Sequence, residues 1–366
     1  PLVAGPQQTS SGRAIFGAFA DCAPDRWGRR LILRAERERV RVEGGPSRTF
    51  GEIEYLLGVR DDLRQGALRF RDPRTSVYFA DDVRGVPALV DLPVLLNAAE
   101  RLERDDVDAE TLRALLRGGS SLGGARPKAH VLDRHGRVSI AKFPSPANDD
   151  WDVMRWEAVA LRLAAKAGVR VPPSALHEID GRPVLVVDRF DRAGEQRIGY
   201  VSAMTMLEAT DGEQASYTDI ALVIEEQSPT ATEDLRELWR RVALSILVSN
   251  TDDHLRNHGF LRSSSGGWRL SPAFDINPNP EPGPKFLSTA LDVGDAEARI
   301  DTLLALGPYF RLDADQARSA LREVALATRA WRDVALDTGV NVDELELMEA
   351  AFEHEQVAVA RDLARV

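Results

Sequence analysis

Asp252, Asn257 and Asp275, in the segments NTDDHLRNHG and SPAFDIN, are the side chains whose types and spacing could do chemistry. A carboxylate can take a proton from an attacking hydroxyl. An amide oxygen and a second carboxylate are hard donors of the kind magnesium prefers. Together they suit phosphoryl transfer, in which a protein supplies mainly position and charge. Two further parts are then required. Backbone amides must approach the phosphates, and a cation must hold them. The segment 118–124, GGSSLGG, offers four glycines in seven residues and so permits a close backbone approach to an anion. Lys142, in VSIAKFP, stands near the end of a strand-like run. The chain has 43 arginines and only four lysines (Lys128, Lys142, Lys166 and Lys285), so a lysine here is less readily an interchangeable cation. Glu157, fifteen residues on and inside the next helix, can pair with it.

Each part taken singly has an ordinary explanation as a turn, an edge-strand lysine or a capping residue. Their order carries the argument. Asp252 to Asn257 has the D-x-x-x-x-N spacing of a protein-kinase catalytic loop, and Asp275 in FDI follows a hairpin-like stretch, as the magnesium-binding Asp of DFG does in kinases. Lys142 and Glu157 match the strand lysine and its helical partner. Other phosphate motifs fail. Walker A needs Lys-Ser/Thr after its last glycine, but Ala125 and Arg126 follow Gly124. The G-x-G-x-x-G spacing is absent. A zinc hydrolase reading of His254 and His258 fails because Leu255 stands where H-E-x-x-H requires glutamate, and Gly259 ends any helix.

These residues need elements to hold them. The spacing predicts helices over Pro24–Val40, over residues 87–104 and over residues 108–118. From Gly118 to Arg192 the order reads glycine loop, strand (Ala129–Leu132), strand (Val138–Phe143), helix (Trp151–Ala167), and a short buried strand in RPVLVVDRFDR. Thr230 and Glu233 predict a capping box before a helix over Asp234–Asn250. Gly259–Leu270 reads as a hairpin turning at SSSGG, and the last sixty or so residues as amphipathic helices. Residues 1–115 mix strand-like pieces with helices. The expectation is an α+β chain of three parts, 1–115, 116–192 and 193–366.

The whole chain is compatible with this. Its 366 residues and 43% apolar content suit a globular protein of about two domains. No apolar run approaches a membrane span, and the N-terminus has no signal-peptide pattern. The absence of an initiator Met leads us to expect further residues upstream. Cys22 is the only cysteine, which excludes an intrachain disulfide or a Cys-based zinc site and favours a reducing, cytoplasmic setting. A net charge of −11 argues against a general nucleic-acid binder.

The motifs SSLGGARPK (Ser120–Lys128), VDRFDR (Val187–Arg192), NTDDHLRNHG (Asn250–Gly259) and SPAFDINP (Ser271–Pro278) resemble those of the HipA-type toxin serine/threonine kinases, and PDRWGRRL resembles a segment these proteins carry before the kinase core. The resemblance implies a protein-kinase-like two-lobed fold behind an N-terminal subdomain, with ATP and Mg2+ as cofactors. It implies that Asp252 is the catalytic base and that Asn257 and Asp275 bind the metal. Lys142, the loop residues Ser121, Gly123 and Gly124, and His254 would contact ATP, and Asp188, Phe190 and Asp191 would form the hinge around adenine and ribose. Ser121, or the adjacent Ser120, would be autophosphorylated, switching the enzyme off by placing negative charge in a phosphate site. The implied partners are a helix-turn-helix antitoxin of the HipB type, DNA only through that antitoxin, and a protein substrate in translation of the aminoacyl-tRNA synthetase class. Asp253 stands where family members often have glycine, and Arg256 where lysine is common.

Two other readings use the same residues. One is a non-catalytic corepressor that binds its antitoxin on DNA. The other is a small-molecule or lipid kinase sharing the fold.

Overall fold

A computed structural model describes residues 7–9, 13–80, 85–119 and 124–364. Ser120, Ser121 and Gly123 lie outside the described residues. The sheet that organises the molecule has four antiparallel strands: β1 (Lys128–Leu132), β2 (Val138–Lys142), β3 (Ser174–Ile179) and β4 (Arg182–Asp188), in the order β1-β2-β4-β3.

The apolar run of β4 explains why the sheet is buried on both faces. Side chains alternate along a strand. Val184 and Val186 therefore face one core with Trp27 and Leu31, while Leu185 and Val187 face another with Trp156 and Val159. Each such side chain contributes about 1.5–3 kcal/mol when fully buried. The first core is covered by α1 (Arg26–Glu43), α3 (Leu92–Glu103) and α4 (Ala109–Arg117), with α2 (Glu52–Leu57) alongside. The second is shared by α5 (Val153–Lys166) and the helical lobe. That lobe contains α6 (Tyr217–Gln227), α7 (Ala231–Leu247) and, toward the C-terminus, α8 (Ala314–Arg329) through α11 (Glu355–Ala364). A second sheet pairs β5 (Tyr200–Ser202) with the hairpin of β6 (Gly259–Arg262) and β7 (Trp268–Leu270).

The strand, strand, helix, strand order is present, with one addition. β3 was not foreseen, because an edge strand with an exposed, irregular pattern lacks the two-residue periodicity that marks a half-buried one. Two further expectations are corrected. Among the described residues of 1–115, strand-like pieces are isolated bridges, Arg71 with Tyr78 and Ala88 with Leu132 outside the segment. Thr230 does occupy the N-cap of α7, but no capping box forms. Its hydroxyl reaches the buried Asp234 at 3.4 Å, and that carboxylate gathers Ser228, Arg170 and Arg269. No helix among the described residues is long and apolar enough to cross a membrane.

Candidate functional site

Strand alternation also places Lys142. Ile140 and Lys142 share one face of β2, and Ile140 is paired with Val187 across the sheet. All three line a cleft of about 260 Å3 between the sheet and the helical lobe. On the opposite wall, α5 buries Glu157. The Lys142 Nζ lies 2.6 Å from Glu157 Oε1 and 2.7 Å from Asp275 Oδ1. One ammonium on β2 thus bridges two carboxylates, one from α5 and one from the segment after β7. Burial alone would lower the pKa of Lys142, but the Asp275 and Glu157 carboxylates outweigh it and hold the ammonium above its ordinary value. In turn, the Lys142 ammonium holds the Asp275 carboxyl well below the usual carboxylate range, against the effect of burial.

Asp275 adopts a left-handed backbone with φ of 58°. This is uncommon for a non-glycine residue, although Asp tolerates it better than most. Asn250 steadies the segment: its Oδ1 accepts from the Asn277 backbone N–H at 3.0 Å. Phe274 packs on Phe190, with ring centroids 5.5 Å apart. The second carboxylate oxygen of Asp275 has no hydrogen bond among the described residues, and 37% of the side chain is open.

The catalytic-loop candidates separate into an outer and an inner set. Asp252 is exposed, and its carboxylate makes no hydrogen bond or ion pair among the described residues. His254, Arg256 and Asn257 line the cleft itself. Asn257 donates its amide N–H to the Asp252 carbonyl at 3.1 Å, leaving its amide oxygen as a donor for a cation. His254 has a buried Nδ1 without a partner among the described residues, a feature that suits a polar ligand in the cleft. The amide oxygen and the open carboxylate oxygen are the donor types magnesium takes, and phosphates facing Lys142 fit the same cleft. These residues therefore fit the nucleotide and the metal.

Asp253, by contrast, points inward. Its Oδ2 accepts from Tyr217 at 2.6 Å and Ser245 at 3.1 Å. The Nε2 of His258 lies 3.2 Å from its Oδ1 but is poorly aligned for a hydrogen bond. Where glycine would leave the loop untethered, Asp253 anchors it. Asp253→Ala is expected to cost about 1–3 kcal/mol, because it orphans two buried hydroxyls. An unfolding curve in urea checks this.

The VDRFDR segment is split in the same way. Asp188, Phe190 and Asp191 all line the cleft. Asp188 accepts from Ser139 Oγ at 2.9 Å. Both carboxylate oxygens of Asp191 are already engaged, by Arg189, Arg192 and the Gly66 N–H, so it braces the segment after β4 against the N-terminal part.

Sequence reasoning missed the contribution of that N-terminal part. Asp25, in the N-cap position of α1, leaves its helix uncapped and instead accepts from the Gly124 N–H at 2.7 Å. Trp27 donates its indole N–H to the Lys128 carbonyl at 2.8 Å. Gly124 has φ of 89°, a conformation that side-chain-bearing residues rarely adopt, so the position favours glycine. Lys128 is a second cation at the cleft. Burial, aided by the nearby Lys142, lowers its pKa to about 8. His130 was likewise unnoticed; it is wholly buried between the Gly118 carbonyl and Arg189. A PDRW segment ahead of a glycine loop was the available signal.

The comparisons with known proteins agree with this architecture. A profile described as HipA-like C-terminal domain matches residues 120–331. A Haemophilus influenzae protein provisionally named a kinase is 26% identical over 196 residues, covering 47% of this chain and 57% of its own length. Y4mE of Sinorhizobium fredii, also provisionally named a kinase, is 25% identical over 242 residues, covering 62% and 54%. The chain thus spans about half the length of these curated relatives. The HipA structure from Shewanella oneidensis, solved with HipB and operator DNA, superposes with a TM-score of 0.64 at 15% identity, covering 93% of this chain and 88% of that one. The Helicobacter pylori kinase CtkA superposes with a TM-score of 0.52 at 16% identity, covering 67% and 94%. The fold is the kinase-like α+β fold of those two structures, and since the matching profile spans more than half of the sequence, the chain belongs to the HipA-like family.

Proposed function

We propose that the chain is an ATP- and magnesium-dependent serine/threonine protein kinase, acting as the toxin of a toxin–antitoxin pair. The observation that carries this reading is Lys142 held between Glu157 and Asp275 at the base of a cleft fringed by Asn257 and His254. The adenine would lie against Ile140 and Val187, with Asp188 and Phe190 at the hinge. Lys142 would neutralise phosphate oxygens. When bound, magnesium supplies charge neutralisation between phosphates, and Asn257 and Asp275 would hold it. The exposed Asp252 suits a hydroxyl arriving on another protein. As that oxygen bonds to the terminal phosphorus, its proton passes to the Asp252 carboxylate, and the bond to the ADP oxygen breaks. The substrate class is a component of translation, with an aminoacyl-tRNA synthetase as the specific expectation.

Incubation with ATP and magnesium, followed by intact-mass measurement, tests the reading. The expected product carries added phosphoryl groups on Ser121 or Ser120. A Ser120→Ala/Ser121→Ala variant should lose self-labelling while still phosphorylating other proteins. Failure of the unaltered chain to move phosphate from ATP to itself or to any protein would end the proposal.

A second reading has one observation in its favour: the Shewanella neighbour was solved with HipB and operator DNA. A corepressor role through a helix-turn-helix antitoxin needs no catalysis. It predicts antitoxin binding indifferent to Asp275→Asn.

A further inference from the structure

The acidic chain carries one ladder of positive charge that the cleft does not use. Residues Arg26–Glu43 hold seven arginines against three glutamates, a local +4 in a chain of −11. Arg26, Arg30, Arg34 and Arg37 recur every three or four residues and so follow one face of α1. At 1.5 Å per residue the ladder is about 16 Å long. It lines an open groove of about 460 Å3, with Arg29 beside it.

Three of these arginines are held in place by the fold. Arg29 forks onto Glu52 at 2.6 and 2.7 Å, and its guanidinium lies 4.7 Å from the centre of the Tyr55 ring. Arg30 donates to the carbonyl of Leu102 at 2.6 Å, and Arg34 donates to Asp105 at 2.8 Å. Arg26 and Arg37 at the two ends are exposed and make no hydrogen bond or ion pair among the described residues. The groove, which Asp105 also lines, therefore presents three guanidinium groups without a carboxylate partner, Arg26, Arg30 and Arg37, spread over about 16 Å of a helix whose apolar side is buried.

We propose that this groove binds the phosphodiester backbone of duplex DNA. Regularly spaced arginines on a rigid helix match a repeating polyanion. Other occupants fit less well. A membrane surface needs an exposed apolar face, but Trp27, Leu31 and Ile32 are buried and Leu33 alone of the groove's apolar side chains is markedly exposed, at 38%. An acidic protein surface would want apolar or aromatic anchors in pockets. A single strand would want free aromatic faces for stacking, and the one ring in the groove, Tyr55, is covered by Arg29. The contacts are to the backbone, so binding is independent of sequence and sensitive to salt. It does not depend on the kinase reading.

Fluorescence anisotropy of the full chain with a labelled DNA duplex tests the groove. If about three phosphates are engaged, affinity falls roughly 40-fold between about 50 and 200 mM salt. Arg26→Glu/Arg37→Glu breaks no internal pair; it should weaken binding roughly tenfold or more and reduce the salt slope by about two, with thermal unfolding unchanged. Arg322→Glu/Arg329→Glu makes the same change in net charge on exposed arginines of α8, and should leave affinity within roughly twofold. The proposal is overturned by no binding at the lower salt, or by equal losses in the two double variants. It is also overturned if polyglutamate or a single-stranded oligonucleotide binds the groove as tightly as the duplex.

Discussion

Replacement of Asp252 by Asn is expected to lower phosphoryl transfer roughly 10²–10⁴-fold, the usual contribution of a positioned general base. The substitution keeps the shape and removes only the ability to take a proton. Because the carboxylate is exposed and unpaired among the described residues, the fold should not register the change. The midpoint of thermal unfolding and the affinity for ATP should both stay at the level of the unaltered chain. The measurement is the initial rate of phosphate transfer from ATP, paired with nucleotide binding at equilibrium. A variant that retains the full rate removes Asp252 from the mechanism. Asp253 provides the contrast: it is next in the chain, but buried, and its loss should show first in stability.

The second large effect is expected at Lys142. Lys142→Met removes the cation that two carboxylates share, so both folding and activity should suffer. Breaking a buried ion pair by deleting one partner costs about 3–5 kcal/mol, because a charge is left without compensation. The charge left is that of Glu157, whose side chain is 3% exposed. Transfer should fall by roughly 10²–10³, the scale of losing one electrostatic contact to the reacting group. The double variant Lys142→Met/Glu157→Leu separates the two effects. Replacing a buried pair by apolar side chains is often neutral for stability. The double variant should therefore recover much of the unfolding midpoint in urea and none of the transfer rate. Recovery of activity along with stability would mean that Lys142 serves only the fold.

The structure enlarges the candidate site in one direction. Asp25 and Trp27 hold Gly124 and Lys128, and Asp191 with Arg189 and Arg192 braces the segment after β4 against residues 63–66. The N-terminal part is thus a wall of the cleft. Changes there should alter nucleotide affinity without touching a residue that contacts the reacting atoms.

What the sequence determined by itself was local. The spacing of Asp252, Asn257 and Asp275 pointed to phosphoryl transfer without reference to any fold. The periodicities of α5 and β2 were legible because each buries a face that repeats at 3.6 or two residues, and the β6–β7 hairpin was legible from its SSSGG turn. Residue order along the chain was enough to arrange loop, strand lysine, helix glutamate and catalytic loop in the kinase sequence of parts. Only the tertiary structure decided which of them meet. Lys142 and Asp275 are 133 residues apart, and Asp25 and Gly124 are 99 apart. No local pattern encodes such a pair, since the contact is created when the sheet, packed on both faces, brings α1 to one side and the helical lobe to the other. The same holds for β3, whose exposed pattern says nothing until β4 offers it an edge. It holds too for Asp253, a turn residue by type, which burial against Tyr217 and Ser245 makes an anchor beneath Asp252.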